Sequence, residues 1–199
     1  MYADILEIVF QFKGNREYVH GTDLFNKIIC NFKQNNIKKI KFSVHDLIKN
    51  PNCEIYIFDC EPSVPSGKFR GSFDLSDKRV WIELRESKRR PTEVKRVLYE
   101  EKQVTDLCEI TNETIILHGI SPFSFIETII SMNKHLLNTI NPSQEAKWFY
   151  TGIELFQYQD IRSRLNLSIT HNFQNKLVKS VICQDEHWLG TVYFSLQKL

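Results

Sequence analysis

The second half of this 199-residue chain reads as a worn copy of its first. The stretch Tyr18-Val19-His20-Gly21-Thr22-Asp23-Leu24-Phe25-Asn26-Lys27-Ile28 returns as Ile116-Leu117-His118-Gly119-Ile120-Ser121-Pro122-Phe123-Ser124-Phe125-Ile126, with His, Gly, Phe and Ile at the same places. An apolar, helix-like run follows in each half, then strand-like segments around Val44-His45-Asp46-Leu47 and Ile153-Glu154-Leu155-Phe156. After a short insertion, Lys68-Phe69-Arg70-Gly71-Ser72-Phe73 answers to Lys176-Leu177-Val178-Lys179-Ser180-Val181. An internal repeat constrains a fold more than any single motif, because each copy must be one structural unit. The expected organisation is a first copy over 1–86, a charged linker over 87–103 and a second copy over 104–199. Units of about 90 residues bury too little surface to be comfortably stable alone, so the copies are expected to share a core about a pseudo-twofold axis, with any ligand site between them.

Bulk composition narrows the function classes. Apolar residues make up 42% and charged residues 25% of the chain, which is globular composition rather than that of a disordered segment. A net charge of +2, with Lys and Arg scattered, lacks the concentrated basic footprint of a nucleic-acid binder. No apolar run approaches the roughly 20 residues of a membrane helix, and Met1-Tyr2-Ala3-Asp4 leads into a strand rather than a signal peptide. Cys30, Cys53, Cys60, Cys108 and Cys183 are odd in number, dispersed and without C-x-x-C, as in a protein of a reducing cytoplasm. His45, His135, His171 and His187 lack metal-ligand spacing, so no metal is expected. No phosphate loop, nucleophile elbow or dinucleotide fingerprint occurs, so no cofactor is expected either.

Local patterns predict an α+β chain. Ile8, Phe10 and Phe12 share one face of a strand over 5–12. Thr22 or Asp23 would cap a helix over 23–35 whose apolar face holds Leu24, Phe25, Ile28, Ile29 and Phe32. Strands follow over 37–47, 54–59, 68–75 and 79–85, separated by Asn50-Pro51-Asn52 and a Pro-rich turn over 62–67. In the second copy, Ser121-Pro122 would open a helix over 122–139, because proline loses nothing at a first helical position. Long antiparallel strands are then expected over 147–157, 162–172, 176–184 and 188–197. Phe25, Ile28, Ile29, Phe123, Ile126 and Ile130 are the expected core of the two helices.

This order, a leading strand or two, one long apolar helix, then three or four antiparallel strands, resembles the hot-dog fold, in which a curled sheet wraps one helix. Two copies in one chain resemble a double hot-dog. The resemblance implies action on acyl thioesters of coenzyme A or an acyl carrier protein, as a dehydratase, hydratase or thioesterase. In the dehydratases of that family a histidine just before one helix works with an acid on the other. Transferred to this chain, the histidine falls at His20, or at His118 by the repeat, and the acid at Glu127. Gly21 and Gly119 would offer backbone N–H groups to the thioester oxygen, with Asp23 beside them. Because the place matching Glu127 in the first copy is Ile29, only one composite site would be complete, with His20 and Glu127 as its pair.

The same residues admit a plainer reading. A His-Gly pair can simply mark the bend into each helix, Asp23 can be a cap, and helical glutamates usually face water. The competing expectation is therefore a non-catalytic duplicated module that binds a protein or small ligand. Pairing of two copies of the chain into a homodimer stays open.

Overall fold

The computed structural model describes residues 4–32, 36–76, 78–89, 91, 93–142, 145–158 and 164–198. They form two compact units, Met1–Glu100 and Glu101–Leu199. The first runs β1 (Asp4–Val9), β2 (Phe12–Lys13), α1 (Gly21–Phe32), β3 (Lys38–Val44), β4 (Asn52–Phe58), β5 (Phe69–Leu75), β6 (Lys78–Glu86) and β7 (Arg96–Val97). The second runs α2 (Lys102–Thr105), β8 (Cys108–Thr111), β9 (Thr114–Leu117), α3 (Phe125–Ile140), β10 (Ala146–Gln157), β11 (Leu165–Phe173), β12 (Leu177–Gln184) and β13 (His187–Lys198). Antiparallel sheet thus dominates, with few helices. Among the described residues no helix is long and apolar enough to cross a membrane.

Both long helices start away from their expected first residues. Helix α1 begins at Gly21, so Thr22 and Asp23 lie inside its first turn rather than ahead of it, and Asp23 N donates to His20 O at 2.9 Å. Its expected end at Asn35 lies outside the described residues. Helix α3 begins at Phe125 rather than Pro122 because Ser124 and Glu127 form a capping box. The Ser124 hydroxyl accepts from Glu127 N, and the Glu127 carboxylate accepts from Ser124 N. Two of the orphan N–H groups at the helix start are satisfied reciprocally, which a proline at the first position does not offer. Phe125 is therefore the buried aromatic of that turn, while Phe123 is only half-buried. Phe25, Ile28, Ile29, Ile126 and Ile130 are core as expected.

In the first unit the aromatic side chains interlock. Phe25 of α1 meets Phe42 of β3 edge-on at 5.3 Å, Phe42 lies 5.2 Å from Phe69, and Phe32 lies 5.0 Å from Phe73. The Phe42 ring lies where a side chain at residue 71 would go. A Cβ on Gly71 would come within 1.9 Å of it, so glycine is required for close approach rather than for a special backbone angle. Within the charged stretch over 87–103, β7 pairs in parallel with β2, and Arg96 donates to the Gly14 and Arg16 carbonyls.

The five main strands lie in the order β1-β4-β6-β5-β3 in the first unit and, after the edge strand β8, β9-β11-β12-β13-β10 in the second. Each has a strand that precedes the helix at one end and the strand that follows the helix at the other. Connectivity between them differs. In the second unit β11, β12 and β13 follow as neighbours, whereas in the first β4 pairs with β6, and β5 takes the place beside β3. Lys68–Phe73 and Lys176–Val181 therefore match in chain order but not in sheet position. Residues 59–68 must carry the chain from β4 past β6 to reach β5.

Gly71→Ala should destabilise the protein by about 1–3 kcal/mol through overpacking against Phe42. Phe25→Ala and Phe125→Ala should each cost about 3–5 kcal/mol, and Phe123→Ala clearly less. Denaturant unfolding checks all four. Glu86 makes the stability depend on pH. Burial by itself would raise its pKa, but the N–H groups of Asn50 and Lys49 and the Lys68 ammonium 3.2 Å away outweigh it and hold the carboxyl below its ordinary value of 4.5. The folded pKa is the lower one, so the stability it contributes is present above that ordinary value and is lost as pH falls through the folded pKa. Glu86→Gln should flatten the acid limb of a stability–pH curve.

Candidate functional site

The start of α1 gathers an unusual set of polar groups around a buried lysine. Lys13 is only 5% exposed; its ammonium donates to Thr22 Oγ1 at 3.0 Å and pairs with Asp23 at 2.6 Å. A buried cation is tolerable only with such partners, and Asp23 on the first turn also suits the positive end of the helix dipole. The Tyr99 ring adds a face 4.7 Å from the ammonium. His20 Nδ1 lies 2.7 Å from the same Thr22 hydroxyl, and its ring is 5.6 Å from that of Tyr99. Thr22 thus ties one imidazole nitrogen and fixes the orientation of the ring.

A cavity of about 660 Å³ adjoins this cluster. Asp23, Asn26, Lys27 and Cys30 of α1 line it together with Gln11 and Lys95. That volume suits a small-molecule ligand. Gly21, the first residue of α1, is half-buried. Among the sequence candidates of the first unit, then, His20, Gly21 and Asp23 come together in one turn, with Asp23 shared by the cluster and the cavity.

The candidates of the second unit are more scattered. His118 Nε2 lies 3.0 Å from Glu109, and both side chains are more than half exposed, so this is a surface pair. Gly119 has φ +122° with nothing within 4 Å of a Cβ built on it. It precedes α3 by several residues, so its N–H does not open that helix. Glu127 is half-buried, and its carboxylate accepts from Ser124 N at 3.0 Å. Among the described residues no group of three or more His, Cys, Asp or Glu could hold a metal ion.

Sequence reading missed Lys13 and Tyr99, which α1 meets only through the fold, and it missed Asn133. That residue is fully buried on the apolar stripe of α3 that carries Ile126, Ile129, Ile130 and Leu137, and among the described residues neither atom of its amide has a hydrogen-bond partner. Tyr150 Oη, Trp148 Nε1 and Ser180 Oγ of the same unit are also buried without partners among the described residues, and burial pushes the Tyr150 phenol far above its ordinary pKa. Buried polar atoms are normally satisfied, and those that are not tend to mark a ligand or a strain reservoir. A polar residue at helical spacing within an apolar stripe was the legible signal for Asn133.

No protein-family model matches the chain, and no curated protein does. Solved structures do. The tesB protein of Mycobacterium avium subs paratuberculosis has a TM-score of 0.51 at 7% identity, over 96% of this chain and 91% of that one. The pyran synthase domain from module nine of the sorangicin pathway gives 0.49 at 10% identity, over 98% and 93%. The 12:0-ACP thioesterase from Umbellularia californica gives 0.47 at 9% identity, over 98% of each chain. At such identities the likeness is one of fold alone, and the first of the three carries it. The resemblance to the hot-dog fold holds at that level, as one of fold.

Asn133→Leu tests whether the buried amide is kept for function. Removing an unsatisfied amide while keeping the volume should raise stability by about 1–3 kcal/mol, read as a higher unfolding midpoint in urea. A residue needed only for packing would show a loss instead.

Proposed function

We propose that this chain processes acyl thioesters of coenzyme A or of an acyl carrier protein, with His20 as its proton-transfer group. The observation that carries the reading is the tether of the His20 imidazole to Thr22 at the first turn of α1, next to Asp23, which lines a ligand-sized cavity. The fold likeness supports it, since the hot-dog proteins this chain resembles act on such substrates.

The finer reading is a 3-hydroxyacyl dehydratase or hydratase. Nε2 of neutral His20 takes the proton from the carbon alpha to the thioester carbonyl. The carbon–carbon double bond forms as the beta carbon–oxygen bond breaks, and Glu127 gives its proton to the departing hydroxyl, which leaves as water. The N–H of Gly21, at the positive end of α1, would stabilise charge growing on the thioester oxygen. Asp23, held by Lys13, keeps that turn in place. His118 and Gly119 are then echoes of the repeat. In this reading the two halves, 1–86 and 104–199 about the linker 87–103, are diverged copies of one hot-dog-like unit, and the first has exchanged the places of its last two strands.

A second reading is a non-catalytic module, favoured by one specific observation. The Glu127 carboxylate is engaged in capping its own helix. His20→Ala and Glu127→Gln separate the two. Assayed on 3-hydroxyacyl, enoyl and saturated acyl thioesters after a check of folding, each should lose roughly a hundredfold or more if it is a general acid or base. Loss in His20→Ala alone, with hydrolysis of saturated acyl thioesters by the parent, would make the reaction a thioesterase's. Parent protein inert on every thioester would leave the binding module.

A further inference from the structure

The exchange of strands in the first unit makes something that the second unit lacks. Because β4 does not continue into its neighbour, residues 59–68 cross the face of β6 that carries Trp81 and Glu83. The crossing is close. A Cβ on Gly67 would lie 2.9 Å from Glu83 Cβ, Lys68 N donates to Leu84 O at 3.1 Å, and Ser66 N donates to Glu83 Oε1 at 3.1 Å. In the second unit β11 passes to β12 through a turn at residues 174–176, with no crossing segment.

Beneath this crossover lies a cavity of about 240 Å³. Its apolar walls are Trp81, Pro62 and Pro65; its polar ones include Arg70, His45 and Glu83. The charges are unevenly compensated. Glu83 is almost wholly buried, yet it is satisfied by Ser66 N and by Arg85, 2.8 Å away. Arg70 is not so matched: its guanidinium donates to the Gly67 and Pro65 carbonyls, and among the described residues it has no carboxylate partner. Its two backbone bonds hold the planar fork at the cavity while leaving other N–H donors. Lys41 adds a second positive charge to the lining, whereas burial and the Arg70 guanidinium hold the pKa of His45 below the ordinary imidazole value; His45 Nε2 lies 2.9 Å from Ser43 Oγ.

We infer that the cavity under the crossover binds a small monocarboxylate with a flat apolar body, its carboxylate on Arg70 and its body between Trp81 and the two prolines. A guanidinium recognises a carboxylate through paired, parallel N–H bonds, and aromatic and proline rings offer flat contact. The volume is below that of a drug-sized pocket, so the ligand is small. Glu61 and Glu83 in the lining disfavour a dianion such as a phosphate monoester, which leaves a single negative charge as the match. This site stands apart from the turn of α1 and does not depend on the thioester reading.

Benzoate is the probe, with benzamide as its neutral counterpart, added to the intact protein. Calorimetry should give one saturable site for benzoate and at least about tenfold weaker binding of benzamide. Two-dimensional NMR should place it through shifts of the Trp81 indole N–H and the His45 ring. Arg70→Gln should abolish the preference for the charged probe. That variant also removes bonds to the crossover, so Trp81→Leu and Lys41→Gln, which leave those bonds in place, provide a second reading, and each should weaken benzoate several-fold. No saturable binding, equal binding of benzamide, or unchanged affinity in both Trp81→Leu and Lys41→Gln would overturn the inference.

Discussion

The contact between the Phe42 ring and the bare backbone of Gly71 organises the first unit. Helix α1 presents a wide apolar face, and Phe25 at its centre needs an aromatic surface to pack against. Phe42 offers that surface only if the strand beside β3 leaves room for the ring, and β5 does so at Gly71. Strand β6, from Lys78 to Glu86, carries a side chain at every position and could not take the same place. The cost of a Cβ in that contact is steric and immediate, because a packed core deforms little. Gly71 thus lets β5 lie beside β3 with the Phe42 ring over its backbone.

A second consequence is the crossover. With β5 beside β3, the chain leaving β4 has to traverse β6, and residues 59–68 do so against Glu83. A carboxylate so deeply buried would be costly by itself. Ser66 N and Arg85 turn it into a peg that holds the crossing segment, and Arg85 in turn lies 4.3 Å from the Tyr56 ring. Polar chemistry beneath a loop is thus a by-product of the strand order rather than an independent feature.

The two long helices are held at their starts by different means. Helix α3 satisfies its first turn locally, with Ser124 and Glu127 three residues apart. Helix α1 recruits Lys13 from β2 and Tyr99 from beyond β7, so its first turn is held by groups distant in the chain. A locally closed cap is self-sufficient, whereas a turn built from distant groups is preorganised by the fold, and preorganised polar groups are what catalysis or recognition requires. The unsatisfied amide of Asn133 in the other unit is a similar departure from local optimisation, since sequences usually avoid a buried polar group without a partner.

The sequence by itself determined which segments became helix and strand, because the periods of two and of three to four residues along each segment are local properties. Phe25, Ile28 and Ile29 were legible as one helix face; Ile8, Phe10 and Phe12 are buried as their spacing suggests, but the expected strand over 5–12 is broken, with β1 ending at Val9 and Phe12 on β2. The capping box at Ser124 and Glu127 was equally local, and the Ser121-Pro122 signal beside it misdirected the start of α3. The turn holding His20, Gly21 and Asp23 could be located from the His-Gly repeat, but Lys13 and Tyr99 could not be assigned to it, since nothing in their spacing foretells a contact across the fold. Strand order was beyond local reading as well. Any two strands with alternating faces can pair, so local periodicity leaves open whether β5 or β6 lies beside β3; the fit of the Phe42 ring over Gly71 is a contact between distant residues, and only the assembled tertiary structure brings it about.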